Sequence, residues 1–108
     1  MNIAQYVNGI AGQAGTHEPL FYKAREDIKA DFYLQISNVD SIKCDYKLYA
    51  LLWERDNEGE PQTFDIAEGE IERAQLEHGH LEAFLDECVS NAELGARPIH
   101  SSRVRRIL

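Results

Sequence analysis

The residue types best suited to chemistry gather around one glycine. His78 and His80 flank Gly79, Cys88 follows eight positions after His80, and Glu77, Glu82 and the more distant His17 add further donors. Such a set suggests a transition metal, but a His-x-His pair turns both rings to one side only in an extended segment, and zinc then needs two more ligands in tetrahedral geometry. The spacing reproduces no established zinc pattern. The simpler expectation is that the two histidines flank a turn and cap the helix after it, so we assign no metal ligand and no cofactor.

Other constellations are weaker. Cys88 falls in the apolar stripe of a helix, where a thiol packs as a small hydrophobe and stays protonated. Cys44 is expected in a more exposed turn without a neighbouring base. His17 beside Glu18 could form an oriented general base, and a solvated loop histidine accounts for it equally well. Carboxylate pairs such as Glu82 and Asp86 or Glu68 and Glu72 occur on any acidic helix, and acid–base chemistry would also require a cleft between them. Asp56-Asn57-Glu58-Gly59-Glu60 lacks the alternate ligands and distant Glu of a calcium loop and reads as a hairpin turn. Gly9, Gly12 and Gly15 match no phosphate-binding fingerprint. No catalytic residue is assigned.

The elements that would position these groups are readable in part. Ile28, Ala30, Phe32, Leu34 and Ile36 alternate with Lys29, Asp31, Tyr33, Gln35 and Ser37, the period of a half-buried strand. After turn residues at 38–41, Tyr46–Trp53 carries apolar and aromatic side chains on both faces, as a central strand does. Asp56–Pro61 is a polar turn, and Gln62–Ile66 returns as a third strand, completing an antiparallel meander. Ala67–Leu76 reads as a short helix on Glu68, Glu70, Arg73 and Gln75, with Gly69 and the His78-Gly79-His80 interruption arguing instead for a separate short element or a strand. Leu81, Phe84, Leu85, Cys88, Val89 and Ala92 then mark one face of a main helix, with Gly95 as its C′ residue and Pro98 beyond. The expected fold is α+β in two layers: an antiparallel sheet of three strands, or slightly more, against one C-terminal helix. Phe32, Leu34, Leu48, Phe84 and Leu85 should be buried together. The chain should be one domain over 1–108, with a flexible or short-helical lead at 1–19, a core at 28–93, and a basic tail or edge strand at 97–108.

Charge is distributed unevenly. Residues 1–53 carry 6 acids and 5 bases, residues 54–93 carry 13 acids and 2 bases, and residues 94–108 carry 4 arginines and no acid. Within a net charge of −8, direct nucleic-acid binding by the body of the protein is disfavoured. The acidic stretch reads either as a solubilising helix face and loop or as a recognition surface for a basic protein partner. On the second reading Glu68, Glu72, Glu82, Asp86, Glu87 and Glu93 would stand where phosphates stand, making an inhibitor that mimics nucleic acid in the groove of a nucleic-acid-binding protein. Tyr33, Tyr49 and Trp53 form a candidate aromatic interface, and Arg103, Arg105 and Arg106 a candidate docking arm, together suiting a homo-oligomer.

The chain opens on no basic, apolar leader, and its longest apolar run, Leu48–Trp53, falls far short of the roughly 20 residues that span a bilayer. Two isolated cysteines read as reduced thiols, so a soluble cytoplasmic protein with no membrane partner is expected. The leading expectation is a non-enzymatic acidic binding module, followed by an assembly protein and then a small metal-binding or hydrolytic domain.

Overall fold

The alternation at residues 28–36 sets up the sheet. In a computed structural model of the chain, which describes residues 3–11 and 17–92, the elements are α1 (Ile3–Ile10), β1 (Leu20–Arg25), β2 (Ala30–Ser37), β3 (Lys43–Leu52), β4 (Thr63–Glu72), α2 (Arg73–Leu76) and α3 (His80–Asn91). The fold is α+β with four strands rather than three, ordered β1-β2-β3-β4 and antiparallel throughout. Register places Phe32 opposite Ala50 and Leu34 opposite Leu48. With Ala30, Ile36 and Cys44 these side chains make one fully buried face.

The helices cover that face. Leu81, Leu85, Cys88, Val89 and Ala92 bring α3 onto it, Leu76 adds α2, and Ile3 and Val7 add α1. Phe84, expected in the core, is only partly buried, because the inward stripe of α3 runs through Leu81, Leu85 and Cys88. Cys44 is not exposed in a turn but lies inside β3 at 0% exposure, and burial pushes both cysteine thiols up, keeping them neutral. Within the 1–19 lead, α1 is a short helix that joins the core through Ile3 and Val7, both 0% exposed.

Two bulges explain the strands that alternation misses. In β1, Tyr22 is an extra residue between Phe21, opposite Tyr33, and Lys23, opposite Phe32. Ile66 is the extra residue in β4, so consecutive Ile66 and Ala67 are both buried and period two is broken. The strand then continues to Glu72, and only Arg73–Leu76 of the expected 67–76 helix forms. Gly69 is the reason the ladder passes there: a Cβ would lie 3.0 Å from the Tyr46 hydroxyl, so the glycine makes room for the ring across the strand.

Helix α3 starts at Gly79, whose φ of 74° is left-handed, and no side chain of the flanking histidines caps it. It ends at Asn91 with Ala92 extended, earlier than a C′ residue at Gly95 requires; Gly95 and Pro98 themselves lie outside the described residues. Its last carbonyls are met from the far side of the chain. Arg25 Nη1 donates to the carbonyls of Val89 (2.7 Å), Ser90 (3.2 Å) and Ala92 (2.8 Å), while Asp27 grips the same guanidinium. Tyr22 donates to Asp86 (2.6 Å) and Lys23 pairs with the same carboxylate (3.0 Å), a second tie from β1 to α3.

Three carboxyls are held below their ordinary range by such contacts. The Tyr22 hydroxyl and then Lys23 act on Asp86, the Arg25 guanidinium on Asp27, and the Lys43 and Ile42 amides on Asp40. A carboxyl whose folded pKa lies below its unfolded value stabilises fully above that unfolded value, about 4, and the contribution is lost as pH falls through the folded value. The urea midpoint should therefore fall as pH drops below about 4. A midpoint unchanged on acidification would contradict these ties.

Candidate functional site

The histidine group does not assemble. His78 and His80 are exposed with ring centroids 5.7 Å apart, whereas Cys88 is 1% exposed in the core. Among the described residues no group of three or more metal-ligating side chains converges. His78 instead borders a shallow groove of about 450 Å³ between α1 and the α2–α3 turn, shared with Gln5, Asn8 and Glu82. His17 Nε2 is buried without a hydrogen-bond partner among the described residues, so no contact orients that ring as a base. The Asp56 carboxylate accepts the amides of Glu58 (2.8 Å) and Glu60 (2.9 Å), which makes the acidic loop a hairpin turn.

The acidic residues divide between two layers. Glu82, Asp86 and Glu87 ride on α3, where Asp86 is engaged by Tyr22 and Lys23. Glu68 and Glu72 lie on β4 in the other layer, opposite Lys47 and Lys43 in register. Glu93, Arg103, Arg105, Arg106 and the whole 97–108 segment lie outside the described residues.

The sheet face turned away from the helices is the more coherent surface. Register aligns Phe21, Tyr33, Tyr49 and Asp65 in one row across all four strands. Phe21 meets Tyr33 edge-on at 5.8 Å, and Tyr33 stacks on Tyr49 at 5.6 Å with 21° between the rings. Burial raises the Tyr49 hydroxyl, with Tyr33 adding to the shift, so it stays neutral. Beyond the row, Trp53 donates its indole N–H to Asp31 (2.9 Å) yet remains 46% exposed, and Phe21 is 48% exposed. No described element covers these rings.

The two ends of this face differ. Near Trp53 a depression of about 300 Å³ is bounded by Leu51, Leu52, Arg55 and Pro61. Toward the start of β3 a second, of about 430 Å³, is bounded by Asp45, Glu68 and Glu70 with Lys47 and Gln35. Glu68, Glu70 and Glu72 stand at alternate positions of β4, hence about 7 Å apart along one side of the strand. Glu70 pairs with Lys43 (2.9 Å) and Asp65 with Lys47 (3.3 Å), leaving Glu68 and Glu72 without an ion pair among the described residues.

The structure thus brings Tyr33 and Tyr49 together, sets Trp53 at the end of the same face, and places Glu68 and Glu72 along its edge. Phe21, Asp31, Asp45 and Glu70 belong to the same surface and were missed. Asp31 and Tyr33 sit in the polar half of the β2 alternation, which was the available signal. The chain matches no family model, no curated protein and no solved structure. Among the described residues no helix is long and apolar enough to cross a membrane.

Proposed function

We propose that this is a non-enzymatic protein-binding module whose docking surface is the open sheet face, and that its partner is a basic protein segment carrying apolar side chains. One observation carries the reading: a stacked aromatic row lies beside an ordered carboxylate row, with no described element over either. The rings supply rigid amphipathic contact area, and the carboxylates supply the sign of charge that selects arginine and lysine. Alternating carboxylates on one strand also present a periodic line of anions, the feature a nucleic-acid mimic offers to a basic groove. The same geometry argues against nucleic acid as the ligand. Base-stacking sheets depend on a positive surround to track phosphate, whereas here Asp31, Asp65 and Glu68 border the rings. Two buried, unpaired thiols fit a reducing compartment, so we place the protein in the cytoplasm.

A defined test uses two probes against the full chain: a peptide alternating arginine with leucine and isoleucine, and a single-stranded oligonucleotide. The peptide should bind at low salt and elute as ionic strength rises, while the oligonucleotide should not bind. Tyr49→Ala, or Glu68→Lys combined with Glu72→Lys, should each weaken the peptide about tenfold, the effect of losing one central contact of roughly 1–2 kcal/mol. Retention of the oligonucleotide, or a peptide indifferent to both variants, overturns the reading. Charge reversal on α3 is the poorer probe, because reversing Asp86 also breaks the tie to β1. A second reading, self-association through the same face and the arginines of another copy, is favoured by the opposite charges on one chain and would show as a mass that grows with concentration in light scattering.

A further inference from the structure

The two edges of the sheet are not alike. β1 is six residues long and bulges at Tyr22, and the side chains of Tyr22, Lys23 and Arg25 are engaged by α3. A bulge of this kind blunts an edge against further pairing. At the opposite edge β4 carries its bulge at Ile66, which leaves residues 67–72 in unbroken register with β3, and no described strand pairs with their outer side. Every second N–H and C=O of that stretch points away from β3, because the backbone groups of a strand alternate between its two sides. Those groups meet water, or a strand that supplies their partners.

The side chains of this stretch define what can pair there. Glu68, Glu70 and Glu72 stand on the open face at intervals of about 7 Å, and all three are exposed, as is Gly69. Ala67 and Ile71 lie on the core side, with Gly69 between them against the Tyr46 ring. A strand added here meets carboxylates on one side and apolar surface on the other. It fits a segment in which arginine or lysine alternates with apolar residues, so that opposite charges pair across the strands on one face and the apolar side chains extend the core on the other. A helix keeps its backbone bonds to itself, and polyproline geometry repeats every three residues at about 9 Å, so neither supplies both the free backbone groups and the 7 Å repeat. A second copy of β4 is disfavoured by the same row, because every register that keeps the faces aligned sets glutamate opposite glutamate.

Resting on the protein-binding reading above, we infer that the basic, apolar segment of the partner binds as a fifth strand on the outer edge of β4, along residues 67–72, with its arginines or lysines beside Glu68, Glu70 and Glu72. The added strand continues the open face, so its basic side chains stand on the same side as the aromatic row, two strand spacings or about 10 Å from β3. Main-chain bonds to β4 supply affinity that is indifferent to sequence, and the carboxylate row decides which sequences are accepted. The surface thereby selects for alternation of charge and not for charge alone.

The test uses the full chain and the peptide that alternates arginine with leucine and isoleucine. It is titrated by fluorescence anisotropy unaltered, with the backbone N-methylated at its arginines, with the backbone N-methylated at its apolar residues, and with its arginines gathered into one block. The N–H groups of one alternate set all point to the same side of a strand, so one methylated form should lose at least about tenfold in affinity while the other stays within about twofold of the unaltered peptide. The block peptide, equal in charge and composition, should bind about tenfold more weakly, because it cannot keep its arginines on one face. Methylated forms affected alike, or a block peptide that binds as well as the alternating one, overturn strand addition and leave docking on the open face standing. An absence of binding by the unaltered peptide overturns both.

Discussion

Phe32→Ala should lower the free energy of unfolding by about 3–5 kcal/mol, the largest single effect expected in this chain. Phe32 is 0% exposed at the centre of β2, opposite Ala50, and is the bulkiest of the fully buried side chains. Its small partner across the strand leaves little side chain to collapse into the gap, so most of the cavity persists. Against a total stability of about 5–15 kcal/mol, the loss takes about a fifth or more of what holds the fold. Phe84→Ala should cost clearly less, because that ring is only partly buried against the core. The comparison by urea denaturation tests the layer arrangement directly: equal costs would mean that α3 is rotated from the position described. Where Phe32→Ala does not fold, Phe32→Leu, expected to cost under about 1.5 kcal/mol, preserves the comparison.

Arg25→Ala should cost about 2 kcal/mol although it removes no core side chain. The last carbonyls of a helix have no partner within it, and the helix dipole gathers negative charge there. Arg25 meets three of those carbonyls with one nitrogen and is itself only 20% exposed, oriented by Asp27. A charged hydrogen bond contributes about 1.5–3 kcal/mol, and three sharing one nitrogen fall well short of three times that. In melting temperature the loss corresponds to roughly 10 °C for a domain of this size. Arg25→Lys keeps the charge but not the fork and should recover about half. A melting temperature unchanged in Arg25→Ala would mean that water satisfies those carbonyls equally well.

How much of this was legible in the sequence depends on where each signal was written. β2 and the inward stripe of α3 were plain because alternation and helical spacing run there without interruption. Bulges at Tyr22 and Ile66 hid β1 and the second half of β4, since one extra residue inverts the pattern on which a strand is recognised. Gly69 argued against a helix and was outweighed by the helix-favouring Glu68, Glu70, Arg73 and Gln75, and its missing side chain is what admits the Tyr46 ring. Helix α1 was one of two readings of the lead: Ile3, Tyr6, Val7 and Ile10 follow helical spacing, while Gly9, Gly12 and Gly15 kept a flexible segment as the other. For the candidate surface, Tyr33, Tyr49 and Trp53 could be found because they lie on strands already recognised. Its full membership could not, because cross-strand register decides which carboxylates border the rings. The acidic stretch looked continuous in sequence, yet the turn through α2 sends Glu68 and Glu72 to one layer and Glu82, Asp86 and Glu87 to the other.

The grip of Arg25 on α3 also sets an order of events. Each strand of the meander pairs with its immediate successor, so the sheet can close hairpin by hairpin through contacts short in sequence, which form quickly. The bond from Arg25 to α3 bridges 64 to 67 residues and cannot form until the sheet has closed and the helix has been laid across it. It belongs to the last step of assembly and to the first of disassembly. Loosening it should leave the rate of folding nearly untouched and quicken unfolding, so this one side chain acts as a latch on the lifetime of the native state.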